Sequence, residues 1–171
     1  MPATYTLISS NVLSSSAASV TFSSIPATYT DLVLRYSARC DAAVTERFAY
    51  IELNATASGI SETYLMGDGA SATSGRATSQ PFIGYLRVPG TSGTASTFSS
   101  GEFYIPSYIV SQNKPMSVFD VAERNNATAY ILAEAVLWSN TAAITQIKFG
   151  LDGSGSLVTG SSFYLYGISN A

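Results

Sequence analysis

The chain has 171 residues, 46% of them hydrophobic and 11% charged, with a formal net charge of -3. That length suits one domain and the apolar share can fill a core, but the charge content is far below the roughly 25% of an ordinary globular chain. No basic stripe occurs, which excludes nucleic-acid binding through counterion release, and the single cysteine, Cys40, excludes an intrachain disulfide framework.

Ser, Thr, Asn, Gly and Ala must therefore cover most of the surface, and such a surface can be buried against a partner at little electrostatic cost. The first cation is Arg35, so the opening lacks the positive region of a signal peptide. No run approaches the roughly 18 apolar residues of a membrane span. The expectation is a chain kept soluble in a cytoplasm unless it leaves within a larger assembly.

The hydrophobic period is two throughout. Residues 4–9 (TYTLIS) and 18–22 (ASVTF) read as short strands, separated by a Ser/Asn-rich turn at 9–16. In residues 31–39 (DLVLRYSAR), Leu32, Leu34 and Tyr36 share one face, with Val33, Arg35, Ser37 and Arg39 on the other. Residues 47–54 (RFAYIELN) form the next strand, and 67–79 (GDGASATSGRATS) read as a long flexible loop. The series continues at 81–88, 102–106 and 117–122, with a Pro-Gly turn opening the loop at 89–96. Residues 129–138 (AYILAEAVLW) are taken as a strand, because large and small residues alternate and no helix cap precedes them. Strands at 144–151 and 162–168 complete the set, with Asn125-Asn126 and 152–155 (DGSG) suited to tight hairpin turns. Pro-Ala-Thr-Tyr-Thr occurs at 2–6 and again at 26–30, but the match goes no further and implies no duplication. The expected fold is all-β, an antiparallel jelly-roll-like β-sandwich of about nine or ten strands. Residues 1–16 form an N-terminal arm with the first strand, well placed to reach a neighbour, and 17–171 form the sandwich.

The chain contains no histidine. That removes Ser-His-Asp and Cys-His catalysis, histidine metal sites and the usual general base near neutral pH. No Gly-x-Ser-x-Gly elbow stands between a strand and a helix. Paired acids could still hydrolyse glycosides, and the candidates are Glu46, Glu52, Glu62, Asp68, Glu102, Asp120, Glu123 and Glu134. Glu52 and Glu134 stand out because they lie within strands; their bland role is to face solvent or pair with Arg47, Arg87 or Arg124. Asp68-Gly69 and Asp152-Gly153 each offer one carboxylate, far short of the six to eight oxygens of a calcium site. Cys40 reads as a small buried residue, and the sequons at Asn54 and Asn126 carry no weight without secretion. No enzyme activity, cofactor or metal is expected. The aromatic residues remain, 11 of them tyrosines. Tyr64, Tyr85, Tyr104 and Tyr108 adjoin loops, where they could stack on sugar rings or fill a protein interface.

Residues 25–39 (IPATYTDLVLRYSAR) and the closing FYLYGI at 163–168, behind a Gly-Ser-Ser lead-in, resemble small virion proteins of tailed bacteriophages. The resemblance covers both ends of the chain and the strand-and-turn layout between them. It implies a structural role in the virion, foremost as a capsid decoration (cement) protein bound to the major capsid protein as a homotrimer. A tail-associated receptor-binding or adaptor protein is the alternative, and a lectin-like glycan-binding domain a third. It carries over no catalytic residue.

Overall fold

The computed structural model describes residues 4–55, 58–124 and 128–169. The described chain is all-β, with strands β1 (Tyr5–Val12), β2 (Ser19–Phe22), β3 (Asp31–Ser37), β4 (Glu46–Leu53), β5 (Ile60–Gly67), β6 (Ala72–Gln80), β7 (Ile83–Pro89), β8 (Ser100–Ile105), β9 (Lys114–Arg124), β10 (Thr128–Trp138), β11 (Ile147–Leu151) and β12 (Ser162–Ile168). They form two antiparallel sheets, an eight-stranded one in the order β1-β12-β3-β8-β9-β10-β5-β6 and a four-stranded one in the order β2-β11-β4-β7. Consecutive strands alternate between the sheets except at β5–β6 and along β8–β9–β10; the hairpins β5–β6 and β9–β10 lie side by side on the β8 flank of the larger sheet. Without those hairpins, two four-stranded sheets remain, β1-β12-β3-β8 and β2-β11-β4-β7.

The core lies between the sheets. Leu32 and Leu34 of β3, Phe103 and Ile105 of β8, and Phe163 and Leu165 of β12 face Ile51 and Leu53 of β4, Leu86 and Val88 of β7, and Ile147 and Phe149 of β11. Phe149 meets Phe163 at 5.1 Å and Tyr36 at 4.7 Å between ring centroids, an aromatic bridge across the two layers. Each such side chain contributes about 1.5–3 kcal/mol when fully buried. The alternation expected for residues 31–39 holds for Leu32, Leu34 and Tyr36, but Val33 is also buried, flanked on its outer face by its strand partners Tyr104 and Tyr166.

Several sequence expectations need correction. The described residues form twelve strands where nine or ten were expected. The stretch 67–79 is not a long loop: Asp68 Oδ1 accepts hydrogen bonds from the backbone N–H groups of Ala70 and Ser71, closing a tight turn from which β6 runs back along β5. The strand signal is missing there because β6 lies at a sheet edge with no buried residue, so nothing selects an apolar face. The turn expected at 9–16 begins later, since β1 continues to Val12. Residues 152–155 do not close a hairpin, because β11 and β12 lie in different sheets. That segment crosses between layers, and Gly153 and Gly155 take the positive φ expected there. The Asn125-Asn126 turn lies outside the described residues.

Polar side chains hold the loops. Arg39 donates to the carbonyls of Gly90, Thr94 and Thr97 and so fixes the Pro-Gly loop. Asn54 accepts from the N–H groups of Thr145 and Gln146 and donates to Ala143 O. Lys114 is completely buried, and its ammonium donates to the carbonyls of Val110, Gln112 and Thr141 at 2.7, 2.6 and 3.4 Å. Burial lowers its pKa, but these carbonyls keep each N–H of the ammonium satisfied. Lys114→Met removes three anchors while keeping the volume. It is expected to cost about 1–3 kcal/mol and to speed amide hydrogen exchange in residues 107–113, read by mass spectrometry. Unchanged exchange there would contradict this role.

Candidate functional site

The two added hairpins carry the unusual features of the molecule. Even-numbered residues of β10, from Leu132 to Trp138, point into the core, and odd-numbered ones point outward. Outward positions on a solvated sheet are normally polar. Here they are Ile131, Ala133, Ala135 and Leu137. Their strand partners continue the apolar surface: Ala133 lies between Phe119 of β9 and Leu65 of β5, and Ile131 lies beside Val121. Leu65, Phe119, Ile131 and Leu137 are 58, 48, 48 and 39% exposed. The small residues Ala133 and Ala135 form the floor of a groove of about 600 Å³, walled by Leu65 on one side and by Phe119 and Tyr104 on the other. Glu102 also lines the groove and pairs with Arg35 at 2.8 Å. Contiguous exposed apolar surface of this kind occurs where proteins, membranes or small ligands bind.

The inward face of the same hairpins carries three buried acids, Glu62 of β5, Asp120 of β9 and Glu134 of β10. Their placement follows from β7, the edge strand of the smaller sheet, whose outward N–H groups have no strand to bond. Glu62 Oε2 accepts from Gly84 N at 3.1 Å, and Asp120 Oδ2 accepts from Arg87 N at 2.8 Å. The carboxylates thus take the place of a neighbouring strand and close an edge that would otherwise invite pairing. Asp120 is satisfied on both oxygens, since Tyr36 donates its hydroxyl to Oδ1 at 2.7 Å. Burial nevertheless pushes Asp120 up to about 6. Glu134 faces no donor, and both of its oxygens lack a hydrogen-bond partner. Burial first, and then the adjacent Glu62, push it up to about 10. Arg87, on β7, lies over the rings of Phe48 and Tyr130 and pairs with Glu46 at 3.1 Å.

The other acids have local roles. Glu52 pairs with Lys148 and Glu102 with Arg35, while Asp68 closes its turn. Glu134 and Glu62 do come together, but Glu134 is only 4% exposed, which leaves no room for a sugar between the two. Its bland role as an arginine partner does not hold either. Among the described residues, no group of three or more acids or cysteines is arranged to hold a metal ion.

The four candidate tyrosines divide. Tyr104 lines the outer groove and donates its hydroxyl to Asp31 at 2.9 Å. Tyr64 and Tyr85 meet on the inner side near Glu62, their ring centroids 4.2 Å apart and their planes tilted by 38°, and Tyr85 takes a positive φ of 63°. Tyr108 has no surface to offer a ligand: it is fully buried, and its hydroxyl donates to the Pro26 carbonyl. Cys40 is buried as expected. The outward residues Leu65, Phe119, Ile131 and Leu137 were missed by reasoning from the sequence. Their signal is the apolar content of both faces of 129–138, where Ile131-Leu132 and Val136-Leu137 stand side by side. No protein-family model matches the chain, and searches of curated proteins and of solved structures found no match.

Proposed function

We propose that this chain is a structural protein of a tailed-bacteriophage virion, a capsid decoration protein that binds the outside of the shell and stabilises it. The reading takes the fold as a jelly roll. The orders β1-β12-β3-β8 and β2-β11-β4-β7 support this, since they are those of eight strands wound as two Greek keys, with the hairpins β5–β6 and β9–β10 as additions. That architecture serves viral capsid proteins and lectins alike. The observation that carries the choice is the outward apolar surface of the added hairpins, centred on Phe119, Ala133 and Leu65. A broad, largely apolar sheet face, with Glu102 neutralised by Arg35, suits a protein shell better than a sugar, which calls for convergent polar groups.

The test compares wild type with Leu65→Lys/Phe119→Lys. Both positions are exposed, so urea stability is expected to move by less than about 1 kcal/mol. Co-sedimentation with shells purified without the chain is expected to weaken by about 30-fold or more, the effect of losing an interface centre worth about 2 kcal/mol. Equal binding by variant and wild type removes this face from docking. Absence of the chain from purified particles removes the virion reading, and its location on tails selects the receptor-binding or adaptor alternative.

A further inference from the structure

We propose that Glu134 is a proton-operated latch that keeps the added hairpins sealed against the β7 edge. The proposal rests on the fold alone and holds whatever the outer face binds. Glu134 projects between the sheets beside Glu62, whose carboxylate caps Gly84 N. The titratable and charged groups around it are Glu62 and Tyr64 from β5, Asp120 from β9, Tyr36 from β3, and Tyr85 and Arg87 from β7. Arg87 is engaged elsewhere, its guanidinium pairing with Glu46 and lying over Phe48 and Tyr130. Neither Glu134 oxygen has a partner as placed, and Glu62 is its diagonal neighbour across β5 and β10; protonation gives Glu134 one O–H to donate to Glu62, which keeps accepting from Gly84 N.

Loss of that proton changes the arrangement. Two carboxylates then face each other in a buried space, and like charges so placed cannot both stay ionised without moving apart. Glu62 is the member held at an edge, so it yields first and uncovers Gly84 N. The seam between β7 and the hairpins opens from this end, while Asp120 still holds Arg87 N at the other. Burial favours the protonated form, in keeping with the raised pKa of Glu134. The latch is therefore closed in neutral and acidic media and released by alkali.

The test is amide hydrogen exchange at Gly84, expressed as a protection factor so that ordinary base catalysis cancels, between about pH 7 and about pH 9. In wild type, protection is expected to fall by about tenfold per pH unit, the linkage of one proton. Glu134→Gln keeps the shape and cannot ionise, so its protection is expected to stay flat. Equal slopes in the two proteins overturn the latch. A carbon NMR titration of the Glu134 side-chain carboxyl in wild type decides independently of whether the variant folds. A carboxyl still protonated at about pH 7 supports the latch, and one already ionised near the ordinary glutamate value of about 4.3 overturns it.

Discussion

Gly101→Ala is expected to cost about 3–5 kcal/mol, combining overpacking of a filled core with a lost buried hydrogen bond. Gly101 lies between its strand partners Tyr36 on β3 and Asp120 on β9. The absence of a Cβ lets the Tyr36 ring lie flat across β8 and reach Asp120 Oδ1 at 2.7 Å. A methyl group at this position would sit 2.0 Å from Tyr36 Cζ and 2.2 Å from its hydroxyl oxygen. The ring cannot swing clear, because Phe149 and Phe163 pack against it at 4.7 and 6.4 Å between centroids. Its displacement leaves Asp120 buried with one acceptor oxygen empty. Urea denaturation checks the value, and Tyr36→Phe separates the parts: it removes only the hydroxyl and should cost about 1–2 kcal/mol. A Gly101→Ala protein as stable as wild type would show that the ring is not confined as described. Tyr50 over Gly150 and Tyr64 over Gly75 repeat the arrangement in other strand pairs.

Stability is expected to fall as pH rises from about 4 to about 6, the reverse of the usual acid-denaturation limb. The cause is Asp120, whose pKa rises in the folded state from 3.8 to about 6 through burial. Between those values the folded protein holds a proton that the unfolded chain has released. The stabilisation is therefore complete below the unfolded value and is lost as pH climbs through the folded one. The difference amounts to about 3 kcal/mol. Glu134 shifts in the same direction, adds to the decline from its unfolded value of 4.5 upward and carries it on toward alkali. Asp68 acts in the opposite sense, since the N–H groups of Ser71 and Ala70 lower its pKa, but it is solvent-exposed and contributes only at lower pH. Urea midpoints measured across this range should fall for wild type, fall less steeply for Asp120→Asn, and flatten only when Glu134→Gln is combined with it. The amide at position 120 can still accept from Arg87 N while its NH₂ faces the Tyr36 oxygen. A wild-type profile that rises from about pH 4 to about pH 6 would refute the assignment.

What was legible in the sequence follows from where burial acts on one face alone. β12 alternates through Tyr166 because one side packs on the core, and β3 keeps its core face of Leu32, Leu34 and Tyr36 although Val33 is covered as well, so the positions of both could be read almost to the residue. β10 could be identified as a strand, but its outward apolar residues did not stand out, because period two does not say which face is covered. β6 was invisible: Ala, Thr, Ser and Gly on an uncovered edge have the composition of a loop. The acids were noticed one by one, and Glu134 was singled out for lying within a strand. Its meeting with Glu62 depends on β10 pairing with β5, a contact between segments some seventy residues apart along the chain. The same holds for the row Tyr36, Gly101, Asp120, assembled from three distant strands.

The position of β12 has a kinetic consequence. It lies between β1 and β3, so the first strand of the chain has no partner in the larger sheet until residues 162–168 emerge from the ribosome. Until then β1 is detached and β3 is an open edge, with the aromatic bridge lacking Phe163. A topology that pairs early with late segments searches slowly for its native contacts. Its waiting intermediates expose unpaired strands and apolar side chains. The nascent chain is therefore most prone to aggregate just before the last strand is inserted, and slower growth at lower temperature should favour recovery of folded protein.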